Sequence, residues 1–385
     1  MRIALDGLPL SEIKTGVGHY TFELARSLAR IAPTDEFELV SPIPYMAARN
    51  DESEQTLPPN LDIVQANVNL LCRGRWWSVG LPLYLKKASI ALFHGTNYDV
   101  PLWNICRTVV TIHDLSSFLY PETHEKHSVR RAHRRLPLMA RRANAIITPS
   151  KSVSGEVHEH LGIEPGKVAV VPEAARHLFR PMALAETIEV RQRLRIEDDF
   201  ILFVGTIEPR KNLLTLVRAF EELVRTTAFR PQLVIAGKEG WLTSELFSYL
   251  KSKRITDLVR FTGYVSDDDL RTLYSSCLVF VYPSLYEGFG LPPLEAMACG
   301  APVITSRIPS ITETVGDAAR LVSPTDFRDI AQALTCMLGD PGERDYRSAA
   351  GLQRASEFSW ERTASATLNV YRDVLKNEKR KTAAV

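Results

Sequence analysis

The stretch Tyr286–Gly300, YEGFGLPPLEAMACG, carries two carboxylates eight positions apart, three glycines and two adjacent prolines. It lies between the apolar runs LVFVYPS and APVIT. A connector between buried strands needs only a turn, so these residue types point to chemistry. The prolines suit the first turn of a helix and Gly300 suits its end. This predicts a helix from about Pro292, with Glu295 in its first turn and Glu287 in the loop leading in. The amides of Gly288, Phe289, Gly290 and Leu291 would then cradle an anion. A carboxylate beside a phosphate would repel it, so both glutamates need hydroxyl partners. A vicinal diol offers two donors to one carboxylate. The ribose of a nucleotide suits Glu295 and a sugar ring suits Glu287, with a diphosphate between them.

Other groups of the same kind follow apolar runs elsewhere. Arg210 and Lys211, in GTIEPRKN, precede a helix start, where exposed amides and the positive dipole end favour an anion. Gly205 opens that stretch, and Gly237 and Lys238 follow QLVIA. His94 and Asn97 follow IALF, and His113 and Asp114 follow TVVTI. Gly16, in TGVG ahead of another helix, would let the backbone approach a phosphate closely. That turn lacks the Walker lysine and a full dinucleotide fingerprint. The pair Asp267 and Asp269 in SDDDL has the form of a metal motif. Ser266 opening a helix with acids in its first turn explains it better, and no metal is predicted.

These residues need elements to position them. Short β-branched runs (RIAL, FELV, IALF, TVVTI, AIIT, VAVV) alternate with helix-length segments up to about residue 172. After a charge-rich break the rhythm restarts with FILFV, QLVIA, VRFTG, LVFVY, PVIT and RLVS. Continuous apolar strands alternating with helices imply parallel sheets covered on both faces. Two series imply two doubly wound α/β domains, with the hinge between about 173 and 198. Ligands bind beyond the carboxyl ends of such strands, so the decorated strand ends predict a cleft between the domains. The expected limits are 1–182 and 183–357. A helix at 358–378 is expected to pack back on the first domain, followed by a disordered tail at 379–385.

The composition is that of a soluble globular chain: 385 residues, 45% hydrophobic, 24% charged and a net charge of +2. No run approaches the ~20 apolar residues that span a membrane. The five cysteines are scattered, without metal-ligand spacing, and fit a reducing cytoplasm. No acid occurs between Glu125 and Glu156, while Lys126, Arg130, Arg131, Arg134, Arg135, Arg141, Arg142 and Lys151 do. The stretch CRGRWWSVGLPLYLKK from Cys72 mixes Arg and Lys with Trp76, Trp77 and Tyr84. Basic residues 126–151 and 72–87 thus suit an anionic bilayer surface, peripheral to the inner membrane face. No nucleic-acid recognition module accompanies them.

EGFGLPPLE matches the paired-glutamate signature of glycosyltransferase family 4, retaining enzymes of the GT-B fold, and the chain resembles that family nearly end to end. The resemblance extends over TGVGHYTFELARSLAR, VVTIHDLSSFLYPE, RRANAIITPSKS, FVGTIEPRKNLLTLVRAF, LVIAGKEGW, VRFTGYVSDDDLRTLY, PSLYEGFGLPPLEAMACGAPVI and FSWERTA. It is nearest to the branch of bacterial O-antigen mannosyltransferases. This implies two Rossmann-like domains, a nucleotide-diphosphate sugar donor held mainly by the second, a lipid-linked or polysaccharide acceptor at the first, and neither cofactor nor required metal. It implies that Glu295 binds the ribose, Glu287 the donor sugar, and Arg210 and Lys211 the diphosphate, with Gly16 against it. His113 would contact the transferred sugar, and Lys238 and the Tyr264–Val265 backbone would lie near the base. GDP-mannose is the donor the resemblance favours. One departure stands out: after VVP the family continues with a Gly-Val-Asp-like turn, whereas this chain has Glu173, Ala174, Ala175 and Arg176. A sugar-nucleotide epimerase, a glycan phosphorylase or a non-catalytic sugar-nucleotide scaffold are the competing readings. A dinucleotide dehydrogenase is weaker, because neither half carries a complete Gly-x-Gly-x-x-Gly after its first strand.

Overall fold

The computed structural model describes residues 1–11, 16–45, 57–103, 105–196, 199–253 and 255–382, with side chains through residue 376. They form two compact units. The first comprises Met1–Phe118, Lys126–Glu173 and Ser359–Val385, and the second Leu119–Glu125 and Ala174–Phe358. The chain therefore leaves the first unit at Glu173, inside the 173–198 break and ahead of residue 182.

In the first unit seven parallel strands line up: β1 (Arg2–Asp6), β2 (Glu36–Ser41), β3 (Leu61–Gln65), β4 (Leu92–Gly95), β5 (Arg107–Thr111), β6 (Ala145–Thr148) and β7 (Val168–Val170). Their order is β3-β2-β1-β4-β5-β6-β7, so the winding reverses between β1 and β4. Six of these strands are the runs expected from sequence. The additional one, β3, is an edge strand with exposed Asp62 and Gln65, so no continuous apolar run announces it. The helix Gly16–Ile31 buries Tyr20, Leu24 and Leu28, the residues whose helical spacing predicts it. The helix Trp360–Thr382 belongs to this unit and buries Trp360, Leu368 and Tyr371. It runs on past residue 378 to Thr382, where a disordered tail was expected, and residues 383–385 lie outside the described residues.

The second unit holds six parallel strands: β8 (Phe200–Val204), β9 (Gln232–Ala236), β10 (Val259–Gly263), β11 (Val279–Tyr282), β12 (Val303–Ser306) and β13 (Arg320–Val322). Their order, β10-β9-β8-β11-β12-β13, places the reversal between β8 and β11. All of β9, β11 and β12 is buried, as expected of strands covered on both faces. At a reversal point the loops leaving two neighbouring strands part to opposite sides and open a crevice. Here those loops are GTIEPRKN and the PSLYEGFG stretch.

Candidate functional site

Gly205, at the end of β8, has φ +152°, and Gly237, at the end of β9, has φ +147°. A side chain at Gly237 would place its Cβ 2.0 Å from the Gly205 carbonyl oxygen, so the two strand ends meet only because that residue is glycine. Beyond them the chain makes a short turn, Pro209–Lys211, and Asn212 follows at φ +61°. Asn212 precedes the helix Leu213–Thr226 without capping it through its side chain. Its amide instead donates to the carbonyls of Pro283 (3.0 Å) and Pro324 (2.6 Å). This ties the loop after β8 to the loop after β11 and fixes Lys211 between them.

A buried ionic cluster results. Lys211 Nζ donates to Glu287 Oε1 at 2.6 Å and to the Tyr282 hydroxyl at 2.5 Å, and that hydroxyl donates to Glu287 at 2.9 Å. Ser284 donates to the same carboxylate oxygen at 2.6 Å. Arg210 faces the other oxygen at 3.1 Å, donates to the Tyr286 carbonyl at 3.0 Å and pairs with Glu208 at 2.7 Å. Burial alone would raise the Glu287 acid, but Lys211, Arg210 and Ser284 outweigh it and hold the carboxyl at about 2. Burial, seconded by the Arg210 charge, draws the Lys211 amine below its ordinary value against the pull of Glu287. The arrangement sets two cations against two carboxylates, Glu287 and Glu208. A ligand phosphate entering here would meet cations already desolvated and oriented, where a charge interacts more strongly than in water.

The helix after the glycines is Leu291–Ala298, so Glu295 lies in its second turn rather than its first. Gly290 takes φ +105° at the helix start, and Pro292 and Pro293 carry no amide hydrogen. First-turn donors to an anion are thereby confined to residues up to Leu291, with Gly288, Phe289 and Gly290 buried behind it. Glu295 faces Arg176 Nε at 3.6 Å, and burial pushes its carboxyl up to about 7 against the Arg176 charge. Lys238 and Tyr264 are exposed, and Val265 is half-buried. Ser266 accepts from the Asp269 amide at 3.2 Å and caps the helix Asp267–Ser276, the structural role expected for SDDDL.

The first unit has its own cluster. His113 Nε2 meets the Thr96 carbonyl at 2.8 Å and Nδ1 meets Glu173 Oε1 at 3.0 Å. Burial disfavours the imidazolium, but two facing oxygen acceptors satisfy both of its N–H groups, and the pKa is raised. Tyr20 meets the ring edge-on, with centroids 4.7 Å apart. Asp114 accepts from the amide and hydroxyl of Ser116 at 3.0 and 2.8 Å, which caps the turn that follows. Asn97 is half-buried and Gly16 is exposed at the start of its helix; Thr15 lies outside the described residues.

His94 does not fit the acceptor-side place expected of it. It is fully buried, with Nδ1 2.6 Å from the Tyr371 hydroxyl and Nε2 2.8 Å from Thr111 Oγ1, and burial lowers its pKa to about 3. It is a neutral pin between the sheet and the helix Trp360–Thr382. Nothing in the sequence points to Tyr282 and Ser284; it marks Glu208 only as a strand-end carboxylate and assigns no role to Glu173 and Arg176. Only the departure from the Gly-Val-Asp-like turn marked the last two.

Basic side chains at Lys126, Arg130, Arg131, Arg134, Arg141 and Arg142 are exposed on the helix Lys126–Arg142. The aromatics of the 72–87 stretch turn inward instead: Trp76 is buried, and Trp77 and Tyr84 pack on the same core. Leu83 in that stretch and Leu70 and Leu71 just ahead of it are exposed, at 56%, 84% and 82%. Among the described residues no helix is long and apolar enough to cross a membrane.

Two family models match the chain: Glycosyltransferase Family 4 over residues 14–175 and Glycosyl transferases group 1 over residues 186–354. The O-antigen chain mannosyltransferase B of Escherichia coli is 32% identical, over 97% of this chain and 100% of its own length. The MMP alpha-(1->4)-mannosyltransferase of Mycolicibacterium hassiacum is 28% identical over 96% of this chain and 98% of its own. Among solved structures, sucrose-phosphate synthase from Thermosynechococcus elongatus superposes with a TM-score of 0.77 at 23% identity, covering 98% of this chain and 99% of that one. That likeness shows the GT-B fold, and the full-length sequence matches, with Glu287 and the basic pair gathered at one strand reversal, show the rest: this chain belongs to glycosyltransferase family 4 and is a glycosyl-transferring enzyme.

Proposed function

We propose that the protein moves mannose from GDP-mannose, with retention of anomeric configuration, to a hydroxyl of a lipid-linked or polysaccharide acceptor in O-antigen-like glycan synthesis. The observation that carries this is the Arg210–Lys211–Glu287 cluster at the β8/β11 reversal, in a chain similar end to end to a curated mannosyltransferase. In this reading the bond from C1 to the phosphate oxygen breaks and its electron pair leaves with the diphosphate. Arg210, Lys211 and the amides before Leu291 stabilise that growing charge. The acceptor oxygen bonds to C1 on the same face, and its proton passes to the departing phosphate oxygen. No side chain acts as nucleophile. Glu287, ionised and fixed, orients the cations and offers acceptor capacity to a sugar hydroxyl, and Glu295 receives the ribose. No metal takes part.

The basic helix face and the exposed leucines support attachment to the anionic inner face of the cytoplasmic membrane, where a lipid-linked acceptor would be met. The deciding experiment offers GDP-mannose, UDP-glucose, UDP-N-acetylglucosamine and a dTDP-sugar with a mannosylated lipid acceptor, with and without EDTA. GDP release with an α-mannosyl product, unchanged by EDTA, is expected. Consumption of a UDP-sugar while GDP-mannose stays intact would overturn the donor assignment.

A further inference from the structure

The segment that departs from the family pattern places Arg176 in the second unit, with its side chain 7% exposed. Both terminal nitrogens of the guanidinium grip the two oxygens of Asp267, one contact measuring 3.0 Å. Its Nε faces Glu295 at 3.6 Å, and the group lies 4.7 Å over the Phe179 ring. Asp267 begins the helix that follows directly on Tyr264–Val265. One planar fork thus joins that helix start to the second glutamate of the signature. The bidentate side of the fork is rigid. The 3.6 Å side is too long for a hydrogen bond, so the attraction there is Coulombic and Arg176 itself takes up no acceptor position of Glu295.

We propose that Arg176 is a positioning residue for the nucleotide, holding Glu295 in place as an ionised acceptor for the two ribose hydroxyls. This rests on the reading of the protein as a nucleotide-sugar enzyme. Burial drives the Glu295 acid up to about 7, Arg176 works against that rise, and Asp267 adds to it. The Tyr274 hydroxyl also works against the rise, Cys299 faces Glu295 too, and burial keeps both neutral near pH 7. Arg176 is thus the cation whose charge draws the Glu295 carboxyl down. Without it the carboxyl is protonated at neutral pH, loses an acceptor position, and regains it only in alkali.

The test titrates GDP and its 2′-deoxy counterpart calorimetrically into wild type, Arg176→Gln, Arg176→Lys and Glu295→Gln at pH 7 and pH 9. At pH 7, Arg176→Gln should bind GDP about fivefold more weakly, because a rise of one pKa unit from about 7 cuts the ionised fraction from about a half to about a tenth. At pH 9 it should recover most of that loss, a recovery that a misfolded variant does not make. Arg176→Lys should retain part of the affinity at pH 7, and Glu295→Gln should stay weak at both. The preference for GDP over the 2′-deoxy compound should vanish in Glu295→Gln at both pH values and in Arg176→Gln at pH 7 alone. Wild-type affinity in Arg176→Gln at pH 7, or equal weakness at both pH values, overturns the role of Arg176. A wild type that does not distinguish the two nucleotides overturns the ribose reading and this inference together.

Discussion

Lys211 Nζ and Glu287 Oε1 stand 2.6 Å apart, and the Tyr282 hydroxyl bridges the same two groups. The pair is buried, so its worth lies less in stability than in orientation. Replacing Lys211 by alanine should lower kcat by about a hundredfold, the scale of one lost charge stabiliser in the transition state. Donor affinity should fall much less, because Arg210 remains. Steady-state kinetics beside a direct donor titration separate the two, and equal losses would reduce Lys211 to a binding group.

The Tyr282→Phe change removes a hydroxyl that accepts from Lys211 and donates to Glu287 while leaving the ring in place. Loss of about tenfold in kcat is expected, the equivalent of one buried hydrogen bond. Unaltered turnover would mean that Lys211, Ser284 and Arg210 hold Glu287 without the hydroxyl.

His113 offers a spectroscopic prediction. Its raised pKa depends on Glu173 at 3.0 Å, after burial has pushed the other way. Glu173→Gln should therefore drop the His113 pKa below 6.5, its ordinary value. Ring-proton NMR across pH 5 to 9 reads this directly. The sign for stability follows: a raised histidine stabilises the fold fully below its unfolded pKa and loses that contribution as the pH climbs through the folded value. The variant should be less stable than wild type at pH 5.5, with the gap narrowing at high pH.

Glu295 has the opposite economy. An acid raised from 4.5 to about 7 leaves the folded state holding more protons than the unfolded one in that interval. Stability then falls as pH rises from 4.5 to 7 and stays low above. Glu295→Gln should be close to wild type near pH 4.5 and more stable by up to roughly 3 kcal/mol above pH 7. Thermal unfolding at pH 4.5 and pH 8 decides it, and a destabilised variant at pH 8 would show that Arg176 more than offsets the burial.

Strand runs were readable because strands buried on both faces must be apolar throughout, as in FILFV and VFVY. The strand β3 was not, since Asp62 and Gln65 serve an edge exposed to water. Arg210, Lys211 and Glu287 were legible from residue types that a plain strand-end loop does not need. Their supports were hidden: Ser284 and Tyr282 look like ordinary strand-end residues until folding turns their hydroxyls onto Glu287. His94 misled for the opposite reason. A strand-end histidine suggests a ligand, but Tyr371, 277 positions later in the chain, takes its Nδ1. Tryptophans in the 72–87 stretch suggested a membrane face, whereas the core claimed Trp76 and left leucines outside.

Because the helix Trp360–Thr382 completes the first unit, residues 1–173 leave the ribosome without their last wall. Tyr20, His94 and Thr111 stay uncovered while the whole second unit is being translated, and only then do Trp360 and Tyr371 arrive to close over them. A nascent chain stalled before residue 359 should recruit chaperones, and no single protease cut can release the first unit intact.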